Sequence, residues 1–152
     1  MITQRHFEEL LKLLEENQVE YVVVGGYAVA FHGYPRHTKD IDIFFRITEQ
    51  NVLKLKKALI SFGFTENDLP DGLFYEKGNI IQFGIEPLRV DIINEIDGVS
   101  IDDALKNSVR GKYGEVEINF IGLIELIKNK ESTGRDQDIV DAKKLKTIIG
   151  RK

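Results

Sequence analysis

The chain has 152 residues, and at roughly 100–200 residues per domain it is expected to fold as one domain over 1–152. Apolar residues make up 42% and charged residues 30%, a balance that excludes a disordered chain, and the formal net charge of −4 excludes nucleic-acid binding by overall basicity while leaving room for a local basic patch. The absence of cysteine rules out disulfides, a thiolate nucleophile and thiolate-held metals, and three histidines are a thin supply for an imidazole metal centre. No apolar run is long enough to span a bilayer, and the acidic, amphipathic stretch 1–14 does not read as a signal peptide, so a cytoplasmic protein without a membrane partner is expected.

Phe7, Leu10, Leu11 and Leu14 recur at helical spacing and predict a helix over 4–16. The β-branched run 19–24 reads as a buried strand, and 27–32 as a short helix closed by Gly33 and Pro35, with Tyr27 and Phe31 on its core side. Residues 40–45 alternate as a strand. Thr48 caps a second long helix that Gly63 ends. The segment 65–72 is expected to be a loop, and 73–77 and 80–83 a hairpin about Gly78-Asn79. A strand over 88–93, a short helix over 101–108, a strand carrying Val116, Ile118 and Phe120, and helices over 121–130 and 136–149 complete the chain. Together they predict an α/β (α+β) fold with a mixed sheet packed against helices.

Chemistry concentrates between Tyr21 and Phe45. Asp40 and Asp42 lie two apart in a strand and leave the same face, while Ile41, Ile43 and Phe45 face the core. Adjacent carboxylates repel, and a hard divalent cation relieves the conflict because it prefers oxygen ligands. On spacing alone, two solvated aspartates are the simpler reading. Gly25-Gly26, between a strand and a short helix, would let a phosphate approach the backbone, or would simply make a tight turn. Asp91 sits between Val90 and Ile92 on the opposite strand face, and it joins Asp40 and Asp42 only if its strand lies beside theirs.

Gly-Gly, thirteen intervening residues, Asp-Ile-Asp-Ile and a distal Val-Asp-Ile resemble the nucleotidyltransferase superfamily with the DNA polymerase β-like fold. Within it, GGYAVAFHGYPRHTKDIDIFF is most similar to the abortive-infection (AbiEii-type) branch found among type IV toxin–antitoxin toxins. The segment LIELIKNKESTGRDQDIVDAKKL resembles that branch's closing motif, which aligns Lys130, Arg135, Asp138 and Asp141 with family positions; Gln137 stands where the family often has lysine.

The resemblance implies an enzyme that moves a nucleoside monophosphate from an NTP, such as ATP, to a hydroxyl. Asp40, Asp42 and Asp91 would be catalytic ligands of Mg2+ or Mn2+. Lys130 would assist catalysis, and Gly25, Gly26, Thr38, Lys130, Arg135 and Asp138 would bind the nucleotide. The implied acceptor is RNA, tRNA first, or a protein. Arg36, Lys39, Lys128, Lys130 and Arg135 are the cations that could meet a phosphate backbone. The chain ends soon after the closing helix, so a cognate partner protein or a homodimer is expected to help hold the acceptor. A non-catalytic, degenerate member acting as a binding or antitoxin subunit is the alternative. Spacing alone leaves Lys130 equally a solvated helix lysine, and Lys143, Lys144 and Lys146 a solvated face. His32 and His37 read as packing or surface residues.

Overall fold

The computed structural model describes residues 4–34, 40–85 and 88–149. In chain order the elements are α1 (Gln4–Glu16), β1 (Tyr21–Val24), α2 (Gly25–Phe31), β2 (Ile41–Phe45), α3 (Glu49–Phe62), a 3-10 turn (Glu66–Asp68), α4 (Gly72–Tyr75), β3 (Ile80–Ile85), β4 (Leu88–Ile93), α5 (Ile101–Lys106), β5 (Val109–Tyr113), β6 (Val116–Phe120), α6 (Leu123–Ser132) and α7 (Asp136–Ile149). The six strands form one mixed sheet in the order β3-β4-β2-β1-β6-β5. β1 runs antiparallel to β2 and parallel to β6; β2 runs parallel to β4.

The predicted helical stripe of α1 buries Phe7, Leu10, Leu11 and Leu14, and the helix packs on α3 and β6. Thr48 caps α3 by accepting from Asn51 N at 3.1 Å, and Gly63, at φ +138°, ends it. All four residues of β1 are buried, as a short β-branched run at the centre of a sheet requires.

Two local readings are corrected. Residues 73–77 do not form a strand: Phe74 N and Tyr75 N both donate to Asp71 O, making the helical turn α4. The buried Asn94 then donates to Phe74 O and Glu76 O, at 3.1 and 2.9 Å, and accepts from Gly78 N at 2.9 Å. These carbonyls are satisfied by one side chain, so no strand partner is needed. The hairpin is instead β3–β4, paired from Ile80↔Ile93 to Ile85↔Leu88. The second correction is β5, an edge strand whose sequence VRGKY shows no apolar alternation. It is held by pairing with β6, and Gly111 makes room for Phe31: a Cβ there would stand 2.3 Å from the Phe31 ring. Phe31 stacks on Phe120 at 4.1 Å between centroids yet stays 36% exposed, so it covers the core rather than entering it.

Candidate active site

β2 and β4 are neighbours, and their parallel register sets Asp42 opposite Asp91. Residues paired across a ladder present their side chains to the same sheet face, so both carboxylates emerge together, with Asp40 immediately before β2. The convergence that parity alone left conditional is therefore present in the fold. Opposite them, β1 turns directly into α2. Gly25 opens that helix at φ +70°, and a Cβ on it would stand 2.1 Å from Asp42 Oδ2. Only glycine leaves space for the carboxylate, because the β1–α2 turn presses on it.

Arg89 completes the cluster. Its Nη2 lies 3.0 Å from Asp40 Oδ2, its Nε 3.1 Å from Asp91 Oδ1 and its Nη2 3.2 Å from Asp91 Oδ2. Gln82 of β3 also donates to Asp91 Oδ1, at 2.9 Å. Asp40 Oδ1 is buried and has no hydrogen-bond partner among the described residues. Burial pushes the Asp42 carboxyl up to about 7; the charge and hydrogen bond of Asp91, then the charge of Asp40, add to this, and Arg89 opposes it.

Among the described residues, Arg89 thus pairs with two of the three carboxylates, and Asp42 feels its charge. As the side chains stand, no group of three or more acidic or histidine residues among those described is arranged around a metal ion. The donor set nevertheless fits one: all-oxygen ligands, excess negative charge and an orphaned Asp40 oxygen are what a hard divalent cation satisfies.

The triad lines one wall of a cleft of about 590 Å³ that includes Gly25 and Gly26; the facing wall comes from α6 and the start of α7. There Lys130 Nζ lies 3.0 Å from Asp138 Oδ1 and 3.4 Å from Asp141 Oδ2. Lys130 is only 7% exposed, so the reading of a solvated helix lysine is overturned by the packing of α6 on α7. Thr133 donates to Asp138 Oδ2 at 2.7 Å, and Arg135 Nε lies 2.9 Å from the same oxygen. Burial alone would raise the Asp138 carboxyl; the Thr133 and Lys130 hydrogen bonds and the charges of Lys130 and Arg135 outweigh it and hold it below the usual range. Gln137, in the place of the expected family lysine, donates to Asp141 Oδ1 at 3.0 Å and belongs to the same cluster.

Thr38, Arg36, His37 and Lys39 lie outside the described residues. His32 is half-buried, with Nε2 2.7 Å from Ile121 O, a packing role. Lys143, Lys144 and Lys146 are exposed, and Lys146 pairs with Glu131 at 2.6 Å. Arg89, Glu95, Asp97 and Asn129 also line the cleft and were not singled out by sequence reasoning. The signal for Arg89 was available: it precedes Asp91 by two strand positions and so shares its face.

Comparison with known proteins bears on the fold and the family. Among solved structures, a candidate nucleotidyltransferase from Thermotoga maritima is 18% identical, with a TM-score of 0.58 over 97% of this chain and 92% of that one. Lincomycin-bound LnuA, a lincosamide antibiotic adenylyltransferase, is 20% identical, with a TM-score of 0.55 over 97% and 98%. ANT(2″)-Ia in complex with adenylyl-2″-tobramycin is 14% identical, with a TM-score of 0.55 over 97% and 95%. At these identities the likeness shows the fold, the expected α+β architecture with its mixed sheet. No curated protein sequence matches the chain. Residues 3–152 match the family model described as nucleotidyl transferase of unknown function (DUF2204), and the chain belongs to that family.

Proposed function

We propose that this nucleotidyl transferase family member moves a nucleoside monophosphate from an NTP to a hydroxyl, releasing pyrophosphate, with Asp40, Asp42 and Asp91 as the ligands of Mg2+ or Mn2+. The observation that carries the reading is the meeting of these three carboxylates at one cleft, where Arg89 pairs with Asp40 and Asp91 and a buried Asp40 oxygen has no partner among the described residues. Bound there, a divalent cation would screen the triphosphate and lower the pKa of the acceptor hydroxyl. The remaining work falls to the chain itself. Gly25 and Gly26 leave the backbone open to a phosphate, and Arg135, 77% exposed at its side chain on the far wall, offers it a cation. Lys130 and Asp138 act by fixing α6 to α7 and so holding the wall that carries Arg135. No nucleophilic side chain is needed, since positioning and electrostatics suffice for phosphoryl chemistry.

The acceptor divides the reading. The resemblance to the toxin–antitoxin branch speaks for RNA or protein. Among the described residues, however, the cations at the cleft are few: Lys130 is buried in its ion pairs, and Glu95 and Asp97 stand at the end of β4. Those carboxylates repel a phosphate backbone, which needs basic surface. They favour a second reading, a compact hydroxyl acceptor that is neutral or cationic, and two structural neighbours bear such cargo in their descriptions, lincomycin and adenylyl-tobramycin.

The experiment is incubation with labelled NTPs and Mg2+, offering total tRNA, cell protein or an amine-bearing antibiotic such as tobramycin in separate tubes. Label in any acceptor, lost in Asp42→Asn, supports transfer, and the tube decides the acceptor. Metal-dependent NTP binding without label in any tube supports the non-catalytic alternative.

A further inference from the structure

We infer that Arg89 is a built-in counter-cation of the carboxylate triad, pairing Asp40 with Asp91 while no metal is bound and leaving them when a divalent cation enters. This rests on the metal-ligand reading of the triad proposed above.

Arg89 is placed for the exchange by the sheet. It sits two residues before Asp91 on β4, and the parallel neighbour β2 brings Asp40 within its reach. Its guanidinium spans one oxygen of Asp40 and both oxygens of Asp91, at 3.0–3.2 Å. These are oxygens a small divalent cation would take at about 2.0–2.1 Å. Guanidinium and metal therefore compete for the same lone pairs and repel each other besides.

The pairing is also incomplete. Asp40 gives Oδ2 to Arg89, while its Oδ1 stays buried without a partner among the described residues. A structural ion pair closed for good would satisfy both oxygens, as Thr133, Lys130 and Arg135 together satisfy Asp138. Exposure separates the two cations as well. The Lys130 side chain is 9% exposed and enclosed between helices, whereas that of Arg89 is 30% exposed and lines the cleft. Arg89 keeps the metal-free triad from flying apart and sets a threshold that the metal must exceed to bind.

The test follows the guanidinium directly. The protein is labelled with 15N-arginine, and its Arg Nε–H resonances are recorded as Mg2+ is added, with binding measured in parallel by calorimetry. Arg89→Lys identifies the Arg89 signal by its loss. The expected result is that this signal leaves its carboxylate-bonded position for that of a solvated guanidinium, along the same saturation curve as the heat. Arg89→Ala, which removes the competitor, should bind Mg2+ at least about fivefold tighter, the scale of a charge-assisted pair.

Binding of Mg2+ by the wild type with the Arg89 signal unmoved would overturn the inference. So would a folded Arg89→Ala that binds no tighter. Should that variant not fold, the wild-type titration alone decides. No Mg2+ binding by either protein overturns the metal-ligand reading itself, and the inference with it.

Discussion

The two walls of the cleft are built from the same ingredients and balanced oppositely. On the sheet side, Asp40, Asp42 and Asp91 share Arg89. On the helix side, Asp138 and Asp141 share Lys130, with Arg135 and Thr133 added at Asp138. The helix-side carboxylate is held below its ordinary range, and Asp42 is driven far above it. A buried charge that is fully partnered locks elements together, whereas removing one partner leaves a penalty of several kcal/mol. Carboxylates gathered with fewer partners than they can use are a place where something other than stability has shaped the chain, and that is the physical ground for assigning chemistry to the sheet side and support to the helix side.

The sharpest way to break this contrast is Asp42→Asn. Asp42 feels the charge of both other carboxylates, and its loss should reduce nucleotidyl transfer by about a thousandfold or more, the several kcal/mol that a catalytic metal supplies. The fold should survive, because the substitution relieves repulsion. Steady-state assays alongside circular dichroism check both halves. Activity within about tenfold of the wild type would move the metal site elsewhere.

The pH dependence of stability should run in opposite directions at the two walls. The Asp42 carboxyl is raised to about 7 in the folded protein, so the native state binds its proton more tightly than the unfolded chain does. The stability it lends is complete below about pH 4 and is lost as the pH rises through about 7, on the order of 4 kcal/mol at most. Asp138 is lowered, so its contribution is present above the ordinary carboxylate range and is lost only as the pH falls below it. Denaturant melts of the metal-free protein between pH 3 and 8 should show the neutral-side loss, and Asp42→Asn should abolish that loss without touching the acid-side one. Added Mg2+ should restore stability at pH 8 in the wild type alone, by mass action on the native state.

Lys130→Met comes next in size. It leaves Asp138 and Asp141 facing each other without their shared cation, which should cost about 3 kcal/mol of unfolding free energy. Chemical denaturation measures it. A cost below about 1 kcal/mol would mean that Lys130 is not the lock of this wall and would return it to a direct role at the triphosphate.

That revision of Lys130 shows where the sequence stops being informative. The stripe of α1, the Thr48 cap and the Gly63 stop are encoded within a few residues and were readable as such. So was the common face of Asp40 and Asp42, which follows from the two-residue period of a strand. Asp91 needed one non-local fact, that β4 lies beside β2, and the family resemblance supplied the expectation. The motif placed Lys130 and strand parity placed Arg89 on the face of Asp91, but what each touches depends on non-local contacts: α6 packing on α7 and Arg89 reaching across to Asp40; β5 likewise is an edge strand paired with β6 without apolar alternation of its own. The expected hairpin of 73–77 with 80–83 failed at its first strand for a related reason, since Asn94, some twenty residues away, takes the carbonyls a strand would have offered.

The smallest effect on stability should come from Arg135→Ala, and its smallness is informative. Arg135 reaches Asp138 from an exposed position, with 77% of its side chain accessible, at the i,i+3 spacing of helix surface pairs. Exposed pairs contribute between zero and about 1 kcal/mol, because water and salt screen them and the side chain loses entropy in forming them. Asp138 retains Lys130 and Thr133 without it, so the wall stays locked and the melting temperature should move by a few degrees at most. Nucleotide affinity should move more, since the exposed Arg135 guanidinium lines the cleft while Asp138 keeps its other partners. The two readouts therefore separate for Arg135, whereas for Lys130 stability leads. A loss of NTP affinity of about fivefold or more with an unchanged melt would place Arg135 on the phosphate. A variant that melts markedly early, with affinity intact once folded, would make Arg135 a third member of the lock and leave the helix wall with no direct hold on the nucleotide.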